Sequence, residues 1–318
     1  MKKKVSVLLV ANDANTNDQD DGDFESNSVD FSFLDDDYEI SLEYLTIQNH
    51  KSIIDGIDSE GYAGECVVQY LHDNKRIYSG CSPRNYKWKK SDIRKFDVSS
   101  PGSVLIEQGD DVSGLTEKDF SHMSYPFIVK PDYNGGSMGI TDKSRVYGID
   151  DLKTQLELSL KTYPSVIVEE FITGREFTAL VCENPSDRQN PLVLEPMECV
   201  FHGSETFKHY NLKWIDWQTI RYEVIADKTL EERIMNFTRD LFITMDIDGY
   251  VRFDLRMNGE NILYVNDVNP YCGLYFPPDL YGSADLIIVN SKKTDHRKFT
   301  EHLFDCALRR QATGVLSR

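Results

Sequence analysis

Arg252, Asp254, Asp267 and Asn269 crowd into one stretch, VRFDLRMNGENILYVNDVNPYCGL. Its two alternating apolar halves flank Asn258-Gly259, which is the sequence signature of a β-hairpin. An even-length loop at that turn sets Arg252, Asp254 and Asp267 on one face of a sheet. Two carboxylates about 4 Å apart repel by roughly 4 kcal/mol at an effective dielectric of about 20, so a partner must neutralise them. A divalent cation does this, and oxygen donors from two aspartates and an asparagine suit magnesium bridging phosphates. In the plainer reading Arg252 pairs with both acids. The Asn269-Pro270 that follows Asp267 favours the metal.

Three further stretches carry groups of the same kind. In PFIVKPDYNGGSMGI, residues 126–140, a short apolar strand delivers Lys130 into a loop of Gly135, Gly136 and Gly139 around Ser137. Glycines let backbone N–H groups turn toward an anion, and a lysine adds a point charge. The pattern is neither a P-loop nor a dinucleotide fingerprint, and a glycine-rich turn with an incidental lysine explains it nearly as well. In SVIVEEFITGREFTALV, residues 165–181, two strands flank Thr173-Gly174, with Glu169, Glu170 and Glu176 at their edges. Such a hinge offers backbone groups to an adenine and a carboxylate to a ribose, although by itself a solvated hairpin is the stronger reading. In FKHYNLKWIDWQ, residues 207–218, a lysine lies in an aromatic stretch. It is either a lid residue reaching a terminal phosphate or a loop lysine packed over tryptophans.

The elements that must position these groups read as alternating strands and helices. Strands fall near 4–10, 38–48, 103–107, 165–171 and 176–183, with a polar, acidic loop from 12 to 37. Helices fall at 64–74, 149–162, 228–244 and 295–312, and a basic helix begins at Asn85. RIYSG, residues 76–80, reads as a strand and turn. The 318 residues hold 53 acidic and 35 basic side chains, a formal charge of −18. That balance argues against nucleic acid and anionic membranes as partners, and against a polyanionic substrate unless a local basic pocket overrides the field. Cys66, Cys81, Cys182, Cys199, Cys272 and Cys306 are scattered, with no Cys-x-x-Cys pair and no histidine at zinc-like spacing, so reduced thiols in a cytoplasmic protein are expected. The N-terminal MKKKVSVLLVAN reads as a first buried strand rather than a signal peptide, and no stretch is long enough to cross a bilayer.

The four motifs, in this order and spacing, resemble the ATP-grasp carboxylate–amine ligases, most closely the D-alanine–D-alanine ligase branch. The likeness runs from about Asp58 to Gly273. It implies an α+β fold of three domains, at 1–84, 85–168 and 169–318, with ATP held between two antiparallel sheets. By position, Lys130 and Lys213 would bind phosphates, with Gly135, Gly136, Ser137 and Met138 closing over them. Glu169, Glu170, Phe171 and Ile172 would line the adenine, largely through backbone, and Glu176 would hold the ribose. Asp254, Asp267 and Asn269 would ligate two magnesium ions, for which manganese can substitute. Arg252 and the backbone N–H of Gly273 would steady the oxyanion. The first phosphate lysine falls in NYKWKK, with Lys87 preferred and Lys89 or Lys90 as alternatives. The implied reaction joins a carboxylate to an amine through an acyl phosphate, releasing ADP and phosphate, and the family's habit implies a homodimer.

Several positions depart from the family's pattern. Asp267 stands where glutamate is usual, and Gly136 and Trp214 replace a serine and a tyrosine of the hydroxyl triad around the first D-alanine. The N-terminal His-Gly segment is missing, and LYFPPDLYGSADL follows Gly273 in place of the family's second-substrate carboxylate site. These losses fall on recognition of the D-alanine ammonium, so a different amino acid or peptide substrate is expected. Cys272 beside Gly273 reads as a small space-filling residue. The competing readings are an ATP-grasp small-molecule kinase and a non-catalytic nucleotide-binding module.

Overall fold

The computed structural model describes residues 3–10, 34, 38–45, 65–133, 136–184, 186–203, 206–216, 219–270 and 272–313. Gly135 and nearly all of the 12–37 loop lie outside the described residues, as do the side chains of Cys66 and Trp214.

Among the described residues, three sheets organise the chain. β1 (Lys3–Val10) and β2 (Tyr38–Leu45) form a parallel pair, followed by α1 (Glu65–Asp73). Residues 76–79, read above as a strand, belong to none. The expected basic helix from Asn85 breaks into α2 (Pro83–Tyr86) and a 3₁₀ turn at Lys90–Lys95. Its apolar residues are too few to hold one amphipathic face against a core.

The second sheet has four antiparallel strands in the order β3 (Ser103–Glu107), β6 (Ser165–Glu170), β4 (Phe127–Pro131) and β5 (Arg145–Val146). α3 (Ile149–Ser159) covers one face, burying Leu152 and Leu156 at i,i+4 against Val129, Val166 and Val168. Full burial of such a side chain contributes about 1.5–3 kcal/mol.

The third sheet has six strands. Its main path runs β10 (Arg221–Val224), β9 (Met197–Val200), β7 (Arg175–Cys182), β11 (Tyr250–Met257) and β12 (Leu263–Asn269), with β8 (Leu192–Val193) beside β7. Alternation divides the work between its two faces. Phe177, Val181, Val251, Phe253 and Leu255 pack under α5 (Lys228–Thr244). That helix starts where Asp227 accepts from the N–H groups of Thr229 and Leu230, and it buries Leu230, Ile234, Thr238 and Leu241 along one side. On the opposite face, Leu180 and Cys182 pack under α6 (Ser283–Asn290) and α7 (His296–Thr313). α4 (Tyr210–Trp214) lies in the segment that crosses between β9 and β10. Farther along that second face stand Glu176, Asp254 and Arg256, at the end facing the four-stranded sheet.

Residues 78–85 are fastened to this frame from three sides. The Ser82 N–H donates to Asp248 Oδ1 at 2.6 Å, the Asp248 N–H donates to Asn85 Oδ1 at 3.1 Å, and Arg310 Nη1 donates to the Gly80 carbonyl at 2.9 Å. Gly249 has φ +67°, and a Cβ there would stand 2.2 Å from the Gly80 carbonyl carbon. Gly249→Ala combines a left-handed penalty with a backbone clash. It should cost about 2–4 kcal/mol, read as a lowered urea midpoint, and an unchanged midpoint would show that residues 78–85 are not held this way.

Candidate active site

The hairpin of β11 and β12 reaches its geometry by a different route from the one its sequence suggests. Met257 pairs with Leu263, so the connection is a five-residue loop, 258–262, rather than an even-length turn. Asn258 organises that loop, its Oδ1 accepting from the N–H groups of Glu260 and Ile262. Continued without interruption, this register would send Asp267 to the face opposite Asp254. A bulge at Asn266 adds one residue to β12, and beyond it Asp254 pairs with Asp267 and Arg252 with Asn269. The same bulge frees the Asn266 carbonyl to accept from Lys130 Nζ at 3.2 Å, tying this sheet to the four-stranded one.

Around that point the predicted residues converge. Arg252 grips Asp254 with Nε at 3.2 Å and Nη2 at 2.9 Å, and Asn269 Nδ2 approaches Asp254 Oδ2 at 3.3 Å. Lys130 Nζ lies 2.6 Å from Glu169 Oε2, both buried. Glu176 is held by Arg256 at 2.8 Å and by Lys208 at 2.9 Å, and the same Lys208 Nζ lies 3.5 Å from Asp254 Oδ1. Ser137 donates to the Lys208 carbonyl, and the Tyr210 N–H donates to the Ile140 carbonyl, so the 207–213 segment is docked on the glycine loop. Gly136, Ser137 and Gly139 all have positive φ, and a Cβ at Gly139 would collide with Pro131 and Tyr163. Phe171 and Phe207 meet edge to face with ring centroids 5.5 Å apart, and the Arg256 guanidinium lies over Phe171.

Some expectations are redistributed. Lys87 is exposed and does not line the cavity. Of the three lysines considered, Lys90 lines it, 3.7 Å from Asp267 Oδ1. The Glu170 carboxylate turns away and accepts from the N–H groups of Gly102 and Ser124. Ile172 offers its carbonyl to Arg256 Nε at 2.6 Å. Met138 is on the rim, and Gly273 packs under Phe276. Burial pushes the Cys272 thiol up to about 12, an inert group in an apolar wall. Two lining cations were not anticipated. Arg256 continues the alternation Arg252-x-Asp254-x-Arg256 on one face, and Lys208 precedes Lys213 in the same aromatic stretch, so both had a sequence signal.

The electrostatics suit a polyanion. Among the residues lining the cavity, Lys90, Lys130, Lys208, Lys213 and Arg256 outnumber Glu176, Asp254 and Asp267, a local excess of positive charge in a chain of −18. Burial disfavours the ionised form of Asp254, but Arg252 and then Lys208 overcome this and hold its carboxyl well below the usual range. Burial likewise opposes the charge on Lys208, and Asp254 holds it well above its ordinary value. Asp254, Asp267 and Asn269 stand on one face of two paired strands, and their side-chain oxygens are the donor type that fits a hard divalent cation. Lys208 reaches across this cavity from Glu176 to Asp254.

Two antiparallel sheets that close over a lysine-lined cleft, one of them carrying paired carboxylates, define the ATP-grasp class. The D-ala D-ala ligase C-terminus family matches residues 94–276, more than half of the chain, and the chain belongs to that family, which places it among the ATP-grasp ligases. The D-alanine–D-alanine ligase of Bacillus anthracis is 25% identical over 226 residues, covering 71% of this chain and 68% of that protein. The ligase of Acetivibrio thermocellus is 31% identical over 166 residues, covering 51% and 42%. The crystal structure of the B. anthracis ligase complexed with ATP superposes with a TM-score of 0.68 at 20% identity, over 98% of this chain and 99% of that one. The ligase from Coxiella burnetii gives the same TM-score at 14% identity, over 98% and 96%. No helix among the described residues is long and apolar enough to cross a membrane.

Lys213 supplies a test that needs no ligand. Burial, with Arg252 next, lowers its pKa to about 8, against the pull of Asp254. A folded-state value below the unfolded one, about 10.4, makes stability rise with pH between the two. Its contribution is complete above about 10.4 and lost as pH falls through about 8. Relative to Lys213→Met, the wild type should gain about 1–3 kcal/mol of unfolding free energy between pH 7 and 10.5. A difference that stays flat would show that Lys213 is not enclosed beside Arg252.

Proposed function

We propose that the protein is an ATP- and magnesium-dependent carboxylate–amine ligase whose carboxylate and amine substrates are amino acids or peptides other than D-alanine. The observation that carries this reading is the convergence of Lys90, Lys130, Lys213, Glu176, Asp254 and Asp267 on one cleft between two sheets. The relative crystallised with ATP supports the nucleotide assignment. Asp254, Asp267 and Asn269 would hold the metal, which when bound supplies countercharge to the triphosphate.

The chain's own residues account for the remaining work. Lys90, Lys130 and Lys213 would neutralise the phosphates of ATP, lowering the repulsion that an anionic carboxylate meets as it attacks the γ-phosphorus. That attack forms the carboxylate oxygen–phosphorus bond, breaks the bond to the β–γ bridging oxygen and releases ADP. The amine then adds to the acyl carbon, the bond from that carbon to the phosphate oxygen breaks, and the displaced N–H proton leaves with the phosphate as hydrogen phosphate, giving the amide. Arg252 and the Gly273 N–H would face the oxyanion of that second step. Glu176 would accept from the ribose once Lys208 withdraws, and the Phe171–Phe207 pair would open to admit the adenine. The 207–213 segment closes on the glycine loop, which excludes water from an intermediate that water would hydrolyse.

The substrate assignment rests on what surrounds this machinery. Gly136 presents no hydroxyl where the family's serine would, and the chain after Gly273 buries Leu274 and turns Tyr275 and Phe276 onto Asp285 through backbone N–H groups. Both features argue for an acid and an amine of another shape than two D-alanines.

Incubation with Mg-ATP and pooled amino acids and dipeptides should release ADP and phosphate only when both a carboxylate and an amine are present, with the amide identified by mass spectrometry. A phosphorylated product would indicate a kinase, and tight ATP binding without turnover would indicate a binding module. Asp254→Asn should lower turnover at least about 100-fold, the scale of losing a preorganised charge in an enclosed site. Lys90→Ala should raise the KM for ATP about 10-fold or more, while Lys87→Ala leaves it within about 2-fold. Equal effects of the two lysine variants would contradict the assignment of Lys90.

A further inference from the structure

Three donors that are scattered in the sequence meet on the far side of the six-stranded sheet. Cys182 is the last residue of β7, and His302 and Cys306 are one turn apart on α7. One ligand atom from each lies within 4.8 Å of the other two. Both cysteines are fully buried, in a wall that includes Leu180, Phe299 and Leu303. The separation of Cys182 from the helix pair hides the group from any reading by spacing. The i,i+4 offset of His302 and Cys306 is the one local sign of it.

We propose that Cys182, His302 and Cys306 form a binding site for a zinc ion that staples the end of β7 to α7. Two thiolates and an imidazole are the soft and borderline ligands that select zinc over magnesium. His302 Nε2 lies 2.9 Å from the Glu183 carbonyl, so that nitrogen carries the proton and Nδ1 keeps its lone pair. A backbone carbonyl holding one ring N–H commonly orients a ligating histidine. Cys306 Sγ reaches the same carbonyl at 3.5 Å, so the thiol and the imidazole N–H share one acceptor next to Cys182. In an apolar wall two thiolates are costly, and a dication balances their charge. Binding releases the two thiol protons to solvent, and three protein donors leave the fourth tetrahedral position for water.

The place in the fold gives the ion a structural task. Cys182 shares its face of β7 with Glu176, which lies in the cleft at the other end of that strand. On α7, Arg310 holds the carbonyls of Tyr78 and Gly80 and lies 3.1 Å from the Glu183 carboxylate. A metal bridging β7 and α7 would fix both the strand that carries Glu176 and the helix that holds the entry to the 83–95 segment. The site is separate from the oxygen set at Asp254, Asp267 and Asn269, so its test does not depend on ligase activity.

The test is cobalt titration of the full chain under anaerobic, phosphine-reduced conditions. One equivalent of Co²⁺ should produce thiolate-to-cobalt charge-transfer absorption and four-coordinate d–d bands, which Zn²⁺ should bleach. At about 100 times Kd, zinc should raise the thermal midpoint by about 3–5 °C. Cys306→Ser and the double variant Cys182→Ala/Cys306→Ser should abolish the charge-transfer band. The partly exposed His302→Gln, which disturbs the core least, should weaken binding at least 10-fold. Absence of the band in wild type, or its persistence in the double variant, would overturn the proposal. So would a Cys182–Cys306 disulfide that persists under the phosphine and leaves no thiol for the metal.

Discussion

The structure turns on a row of carboxylates that cannot stand in a sheet uncompensated. Glu176 on β7, Asp254 on β11 and Asp267 on β12 occupy adjacent strands, and Asp254 and Asp267 are register partners. Four nearby cations answer to this row. Arg252 and Lys208 are drawn to Asp254, Arg256 and Lys208 to Glu176, and Lys90 to Asp267. Removing one partner of a buried pair costs about 3–5 kcal/mol, because the other charge is left in low dielectric. The row therefore stabilises little by itself, but it fixes where lysines and arginines must be.

That arrangement also sets what occupies the cavity. Lys208 spans from Glu176 to Asp254, with one nitrogen serving the carboxylate expected at the ribose and the one expected at the metal. Phe207 rests on Phe171, and the backbone of 208–210 leans on the glycine loop. The protein's own cation and aromatic ring thus fill the space in which phosphate countercharge and a base would sit. Exchange of one set of countercharges for another lets such a site open without ever leaving the acids bare.

Much of this was legible in the sequence, and the exceptions have physical causes. Helix 228–244 was read to the residue, because an Asp cap and a clean i,i+4 apolar stripe agree over its whole length. Strand 103–107 is legible to the residue, and strand 176–183 lies one residue off the observed Arg175–Cys182 at each end. The basic segment after Asn85 misled because lysines and aromatics at helical spacing carry no capping or core information, and tertiary contacts broke it in two. The hairpin loop was misjudged because Asn-Gly signals a turn without fixing its length. Asp267 faces Asp254 only because a bulge at Asn266 corrects the parity, and a bulge leaves no mark on an alternating pattern. Lys90 displaced Lys87 for the related reason that irregular backbone sets the direction of a side chain. Cys182, His302 and Cys306 were unreadable as a group, since their meeting depends on how a terminal helix returns to a central strand.

The most direct measurement of the central claim is a crystal structure with Mn²⁺ and a non-hydrolysable ATP analogue, recorded at a wavelength where manganese scatters anomalously. Anomalous peaks should appear bounded by Asp254, Asp267 and Asn269, with phosphates against Lys90, Lys130 and Lys213 and Lys208 withdrawn from the space between Glu176 and Asp254. Nucleotide bound with its phosphates away from those carboxylates, and Lys208 still bridging Glu176 and Asp254, would contradict the claim.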